Sequence, residues 1–193
     1  MHVRELIEKY YPEYYGWFSY PAEETVAFGK ADQEWGILGN FGHVTVTVDG
    51  VPFRTTERLF QVMKFTDPEA RRAVYLEPNP WRAKRIEARH YEGTCGVRPD
   101  WGEIIVDALK FCLMTKYEQC PKFREELART GTKFIVEKPA PHPNTYSAKL
   151  SKDGKTWEGS NLMGRLLREL RDNGKLEYHL PEDAMRFSDL LEP

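Results

Sequence analysis

Three side chains with the right chemistry for a site share one short stretch. Glu57, Gln61 and Lys64 lie in Thr56-Glu57-Arg58-Leu59-Phe60-Gln61-Val62-Met63-Lys64-Phe65. Read as a helix at roughly 100° per residue, the stretch puts these three in one narrow stripe. Leu59, Phe60, Val62, Met63 and Phe65 spread around the rest of the circumference. A helix apolar on most sides is normally buried, and buried Glu and Lys are rare unless paired or functional. A carboxylate, an amide and an amine would then face one small volume, as in the wall of an active site. The competing reading is a half-exposed helix with ordinary charges. Glu57 and Lys64 are roughly 10 Å apart along the axis, too far for a direct surface ion pair, and both readings stand on geometry alone.

Two further clusters carry chemistry. Trp157-Glu158-Gly159-Ser160-Asn161-Leu162-Met163-Gly164 precedes and opens a helix. Its glycines permit close backbone approach, and free amides at a helix N-terminus can hold a phosphate; the plainer reading is that Ser160 or Asn161 caps the helix. Trp81-Arg82-Ala83-Lys84-Arg85, with Arg89 beyond, could grip phosphates through Arg forks, or could be a solvated basic face.

The elements that must position these groups can be read in outline. At 193 residues the chain is long enough for a substantial core and is most simply one domain. Residues 2–10 suggest a short amphipathic helix. An aromatic cluster from Tyr10 to Tyr20 follows, suited to packing an N-terminal extension or, alternatively, to stacking on bases. Thr25–Phe28 reads as a strand. Val44 to Val48 alternates, and Asp49-Gly50 is a hairpin signal with Val51-Pro52-Phe53 returning. Helices are expected over 69–75, 81–90, from Asp100 with Glu103 as a capping pair, from Pro121 to Gly131, and from Leu162 to Gly174. Lys133–Glu137 is a strand candidate, and 138–160 reads as a long polar loop. Few strands and non-alternating helices give an α+β class, mostly helical with a small sheet or hairpin. The expected division is an extension over 1–24, a main domain over 25–175 and a tail over 176–193.

Composition excludes several classes. A net charge of -2 argues against a nucleic-acid-coating protein. Cys95, Cys112 and Cys120 have no metal-ligand spacing and read as reduced thiols; no zinc pattern is present, so neither a metal nor a cofactor is expected. No run reaches membrane-spanning length, and Met1–Leu6 has no signal-peptide character. A soluble cytoplasmic protein is the expectation.

The order of segments resembles the NADAR (YbiA-like) family. The resemblance rests on Leu38-Gly39-Asn40-Phe41, then Thr56-Glu57 through Gln61, Lys64 and Phe65. It continues with Ala83-Lys84-Arg85, Arg98-Pro99-Asp100-Trp101, and Trp157-Glu158-Gly159-Ser160-Asn161 with Gly164 and Arg171. It spans roughly residues 26–173. It implies an N-glycosidase acting on a ribosyl C1'–N bond. Glu57 matches the catalytic glutamate, Lys64 the lysine near the sugar, Trp101 the site tryptophan, and Asn40, next to Phe41, the asparagine of the Asn-Phe element. One departure stands out: where many members have Asp-x-x-Trp-Gly, this chain has Asn144-Thr145-Tyr146-Ser147-Ala148. Asn144 cannot ionise, and Asp153 in the same segment is a candidate substitute.

Three readings stay open, the first two implied by the resemblance and the third resting on Asn144. The first is removal of ADP-ribose from guanine in DNA, an antitoxin-like role with ADP-ribosylated DNA as substrate and a cognate ADP-ribosyltransferase toxin as a possible neighbour. The second is cleavage of ribosylamine phosphates of riboflavin biosynthesis. The third is a non-catalytic ADP-ribose or nucleotide binding module. Glu57 and Lys64 would be catalytic. Asn40, Phe41, Gln61, Arg82, Lys84, Arg85, Trp101, Asn144, Tyr146, Trp157, Gly159 and Asn161 would contact the substrate.

Overall fold

The computed structural model describes residues 3–79, 82–83, 97–139, 142 and 144–191. They form an α+β fold that divides into two compact units, one of residues 1–42 and 120–176, the other of 43–119 and 177–193.

The first unit begins with helix α1 (Val3–Tyr10). Strand β1 (Phe18–Pro21) then joins a three-stranded antiparallel sheet in the order β1-β7-β6, where β6 is Lys149–Leu150 and β7 is Thr156–Gly159. A second sheet pairs β2 (Thr25–Phe28) in parallel with β5 (Phe134–Glu137). The segment 138–160, expected to be a loop, therefore contains a hairpin over 149–159. It escapes sequence reading because β6 is two residues long and β7 pairs with a strand more than a hundred residues away. Aromatic residues at 10–20 mostly pack: Tyr11, Tyr14 and Tyr20 are buried, and the Tyr14 hydroxyl donates to Glu169 at 2.7 Å. Trp17 is the exception, 64% exposed.

Helix α6 (Leu162–Asn173) lies against β5, and Gly164 makes this approach possible. A methyl group there would meet the Ile135 carbonyl oxygen at 2.0 Å. Arg171, near the end of α6, donates to Thr130 Oγ1 and to the Lys133 carbonyl, fixing the turn between α5 (Pro121–Arg129) and β5. Gly174 ends α6 with φ 72°, the left-handed geometry that glycine adopts without strain.

The second unit contains the hairpin β3 (Val46–Val48) and β4 (Val51–Phe53). Its turn has φ 50° at Asp49 and 76° at Gly50, as the Asp-Gly signal requires. Helix α2 (Thr56–Met63) follows, capped by Thr55, whose hydroxyl accepts from the Arg58 amide at 3.2 Å. Helix α3 (Pro68–Leu76) is capped by Asp67, and the 19-residue helix α4 (Trp101–Gln119) completes the unit. Of the basic segment expected as a helix over 81–90, only Arg82 and Ala83 are described; Lys84 and Arg85 lie outside the described residues.

The C-terminal tail is tied down by charge. Asp49 accepts from the amides of Phe187 and Ser188 at 2.7 and 2.8 Å, Arg98 pairs with Asp183 at 2.6 Å, and Arg71 pairs with Asp189 at 3.4 Å. Phe187 is buried and meets Phe53 edge-on.

Gly164→Ala is expected to lower stability by about 1–3 kcal/mol or more, because the added methyl meets backbone rather than a side chain that can swing away. Urea unfolding of the two proteins checks it; equal midpoints would show that α6 and β5 are not in close contact.

Candidate functional site

The stripe on α2 is buried. Glu57, Gln61 and Lys64 keep 6%, 3% and 8% of their surface exposed. Every residue of α2 is buried, so the half-exposed alternative does not hold. Local sequence explains the burial: Leu59, Phe60, Val62 and Met63 face the core on three sides, and the stripe goes in with them.

Within the stripe the contacts are specific. Gln61 Nε2 donates to Glu57 Oε1 at 2.9 Å. Gln61 Oε1 is buried and has no hydrogen-bond partner among the described residues. The opposite amide orientation would set two acceptors against each other, so the free atom is an oxygen. A buried acceptor left open costs roughly 1–3 kcal/mol, and a hydroxyl-bearing ligand would remove that cost.

Lys64 ends the helix. Its carbonyl accepts from the Arg98 amide at 2.7 Å, and the neighbouring Phe65 bridges Val97. Arg98 in turn holds both carboxylate oxygens of Asp100, at 3.0 and 2.9 Å. The sequence gives Asp100 a capping role, but its side chain serves this grip. The backbone of Lys64 is thereby fixed to the start of α4, where Trp101 stands. Lys64 Nζ lies 5.9 Å from the centre of the Trp101 ring, within cation–π range. Phe60 packs on the same ring at 5.2 Å. The structure thus brings together Glu57, Gln61, Lys64 and Trp101 in one unit. Arg82 belongs to that unit too, exposed, with its amide capped by Asn79.

Sequence reasoning missed a fifth member. Lys116 has 0% exposure and sits one turn beyond Cys112 on α4. Burial pushes the Cys112 thiol well above its ordinary range; the Glu57 carboxylate raises it further and the Lys116 ammonium opposes this. Both charges therefore act on one buried thiol. The signal was present: a lysine in helical register with Trp101, Ile105 and Cys112.

The first unit holds the other expected residues. Asn40 is buried and Phe41 half-buried, in a loop kept tight by Gly39 and Gly42. Asn161 is fully buried; its Nδ2 donates to the Ile135 carbonyl at 2.8 Å and its Oδ1 accepts from the Glu137 amide at 3.2 Å. Both ends of its amide are engaged with β5. The expected anion site at this helix start is also unavailable. The amides of Asn161, Leu162 and Met163 donate to the carbonyls of Ser147, Thr145 and Tyr146. Gly159 is there for close approach, since a methyl would meet the Ser147 carbonyl at 2.5 Å. Trp157 is half-buried against Tyr20, Val136 and Ala148.

Asn144 is exposed, and its Oδ1 accepts from the Tyr146 amide at 2.9 Å, an Asx turn. Asp153 lies in a turn of its own. Its carboxylate accepts from Ser151 Oγ at 2.6 Å and from the Lys155 amide in the β6–β7 turn. No group of three or more His, Cys, Asp or Glu able to hold a metal occurs among the described residues. Nor is any described helix long and apolar enough to cross a membrane.

The NADAR domain model matches residues 27–173. This chain belongs to the NADAR family. Among its relatives is the N-glycosidase YbiA of Escherichia coli K12, 27% identical over 79% of this chain and 89% of that protein. The NMR structure of E. coli YbiA superposes with a TM-score of 0.64 at 27% identity, covering 82% of this chain and 90% of that one. A riboflavin biosynthesis protein of Vibrio vulnificus, VVA0006, is 26% identical over 86% of this chain, which spans only 42% of that protein's length.

An Asx turn accepts Asp as readily as Asn. Asn144→Asp is therefore expected to leave stability within about 0.5 kcal/mol of the parent and to keep or raise turnover. Thermal unfolding with a turnover assay checks this; a large loss of stability would show that the turn depends on the amide.

Proposed function

We propose that this NADAR protein is an N-glycosidase that hydrolyses a ribosyl C1'–N bond, with Glu57 as the carboxylate of the reaction. The observation that carries this is the buried Glu57–Gln61 pair with its open acceptor. An oxocarbenium-like sugar needs a nearby negative charge, and its ring hydroxyls need acceptors. Glu57 supplies the charge, or activates the water that adds to C1' while the nitrogen leaves with a proton. Gln61 Oε1 takes a ribose hydroxyl. Trp101 offers a ring face to the substrate.

Lys64 has two roles open to it. As an ammonium over Trp101 it would hold a phosphate or hydroxyl; as a neutral amine it would attack C1' as the base nitrogen leaves with a proton, giving a Schiff base with the opened sugar that water then hydrolyses. Arg82 is a candidate contact for phosphate. Borohydride trapping separates the roles of Lys64. An adduct lost in Lys64→Ala makes it the nucleophile; turnover without any trapped adduct makes it electrostatic.

Two substrates are carried forward. Removal of ADP-ribose from guanine in DNA is supported by the exposed Trp17 and by the cations on Tyr10 and Tyr15, a surface beyond the needs of a small metabolite. Ribosylamine phosphates are supported by the relative named for riboflavin biosynthesis. Incubation with each, followed by mass spectrometry of released ADP-ribose or ribose phosphate, distinguishes them. Glu57→Gln should lower turnover by at least about a thousandfold, the scale of a lost transition-state charge, while sparing binding. Binding of ADP-ribose without turnover of either substrate would make the protein a binding module instead.

A further inference from the structure

Lys116 is the buried charge that the proposed reaction does not use. An ammonium with no exposed surface must be compensated, because burying a charge alone is far too costly. The other buried cations of the second unit include Lys64, whose ammonium faces the Trp101 ring at 5.9 Å. Arg58 donates to the Tyr75 carbonyl, Arg71 pairs with Asp189, Arg98 with Asp100 and Asp183, and Lys110 with Asp107. Among the described residues, the one buried carboxylate is Glu57.

The helices bring the two within reach. Helix α4 packs on α2, and Cys112 Sγ lies 4.0 Å from Met63 Sδ at that contact. Lys116 follows Cys112 by one turn on the same face, and the Cys112 thiol responds to Glu57 and to Lys116 alike. Helix α3 and strand β4 also pack on α2. Strand β4 brings no charge; of the charges on α3, Glu69 is exposed, Arg72 half-buried, and Arg71 turned to the tail.

We propose that Lys116 is a positioning residue for Glu57. Its ammonium, enclosed between α4 and α2, is the counter-charge that keeps Glu57 in place beside Gln61. This rests on the reading of Glu57 as the reaction's carboxylate, but the pairing itself can be tested without any substrate. The assignment also divides labour between the two buried lysines: Lys116 serves the carboxylate from within, and Lys64 stays beside Trp101 for the ligand.

The test is a double-mutant cycle on the full chain, with Lys116→Met, Glu57→Gln and the two combined, read as urea midpoints. If the charges compensate each other, the combined variant loses less than the sum of the single losses, since neither charge is left buried alone. Additive losses overturn the proposal. Should Lys116→Met fail to fold, recovery of folding in the combined variant supports the pairing, and continued failure overturns it. Lys110→Met, on the same helix but paired with Asp107, should be additive with Glu57→Gln; coupling as large as that of Lys116 would also overturn it. Turnover of whichever substrate is cleaved gives the second reading. Lys116→Met should lower kcat at least about tenfold with KM held, and Lys116→Arg should recover part of it; unchanged kcat overturns the positioning role. Failure of Glu57→Gln to affect turnover would instead remove the catalytic reading while leaving the cycle's answer intact.

Discussion

Burial of charge on α2 is the constraint on which the second unit depends. Glu57 and Lys64 could not enter the core without partners, and the unit supplies them through specific means. Gln61 grips Glu57 from the same helix, one turn on. The Lys64 ammonium faces the Trp101 ring, and Arg98 fixes the Lys64 backbone while holding Asp100 and, through Asp183, the tail. A stretch of apolar helix would have been cheaper in desolvation. The retained cost, including an acceptor with no partner, is the pattern expected where a site trades stability for chemistry.

The tail belongs to this arrangement rather than hanging from it. Asp49 and Asp183 both have carboxyls held below their ordinary range, Asp49 by the Phe187 and Ser188 amides and Asp183 by Arg98. A lowered carboxyl contributes stability above the ordinary carboxylate range, and that contribution fades as pH falls through the folded value. Neutral and mildly acid conditions therefore keep the tail docked, and with it the Arg98 grip. Strong acid weakens both.

Much of this was legible in the sequence, for identifiable reasons. The α2 stripe follows from helical period, and the Asp49-Gly50 turn and the Gly174 stop follow from local backbone preference. Those signals need only neighbours a few residues away. The β1-β7-β6 sheet was not legible, because two short strands at 149–159 gain their meaning from pairing with residues 18–21. Lys116 was missed for a similar reason. Its place in the apolar register of α4 was plain, but its charge matters only because another helix brings Glu57 near the same thiol.

The residues that mark the family divide along the same line. Asn161, Gly159 and Gly164 in the first unit are spent on geometry: an amide clasping β5 and two glycines that let backbones meet. Arg171 pins a turn. At the helix start the amides of Asn161, Leu162 and Met163 are already taken by the carbonyls of 145–147. Glu57, Gln61, Lys64 and Trp101 hold the groups with chemistry to offer. The final Trp-x-Gly-x-Asn-x-x-Gly element is thus tied closely to the folding of the first unit, while the α2 stripe buries ionisable groups in the second. The departure at Asn144 falls between the two. Its turn is made by the side-chain oxygen that Asn and Asp share, so the fold is indifferent to the exchange, and any consequence must come from the missing charge alone.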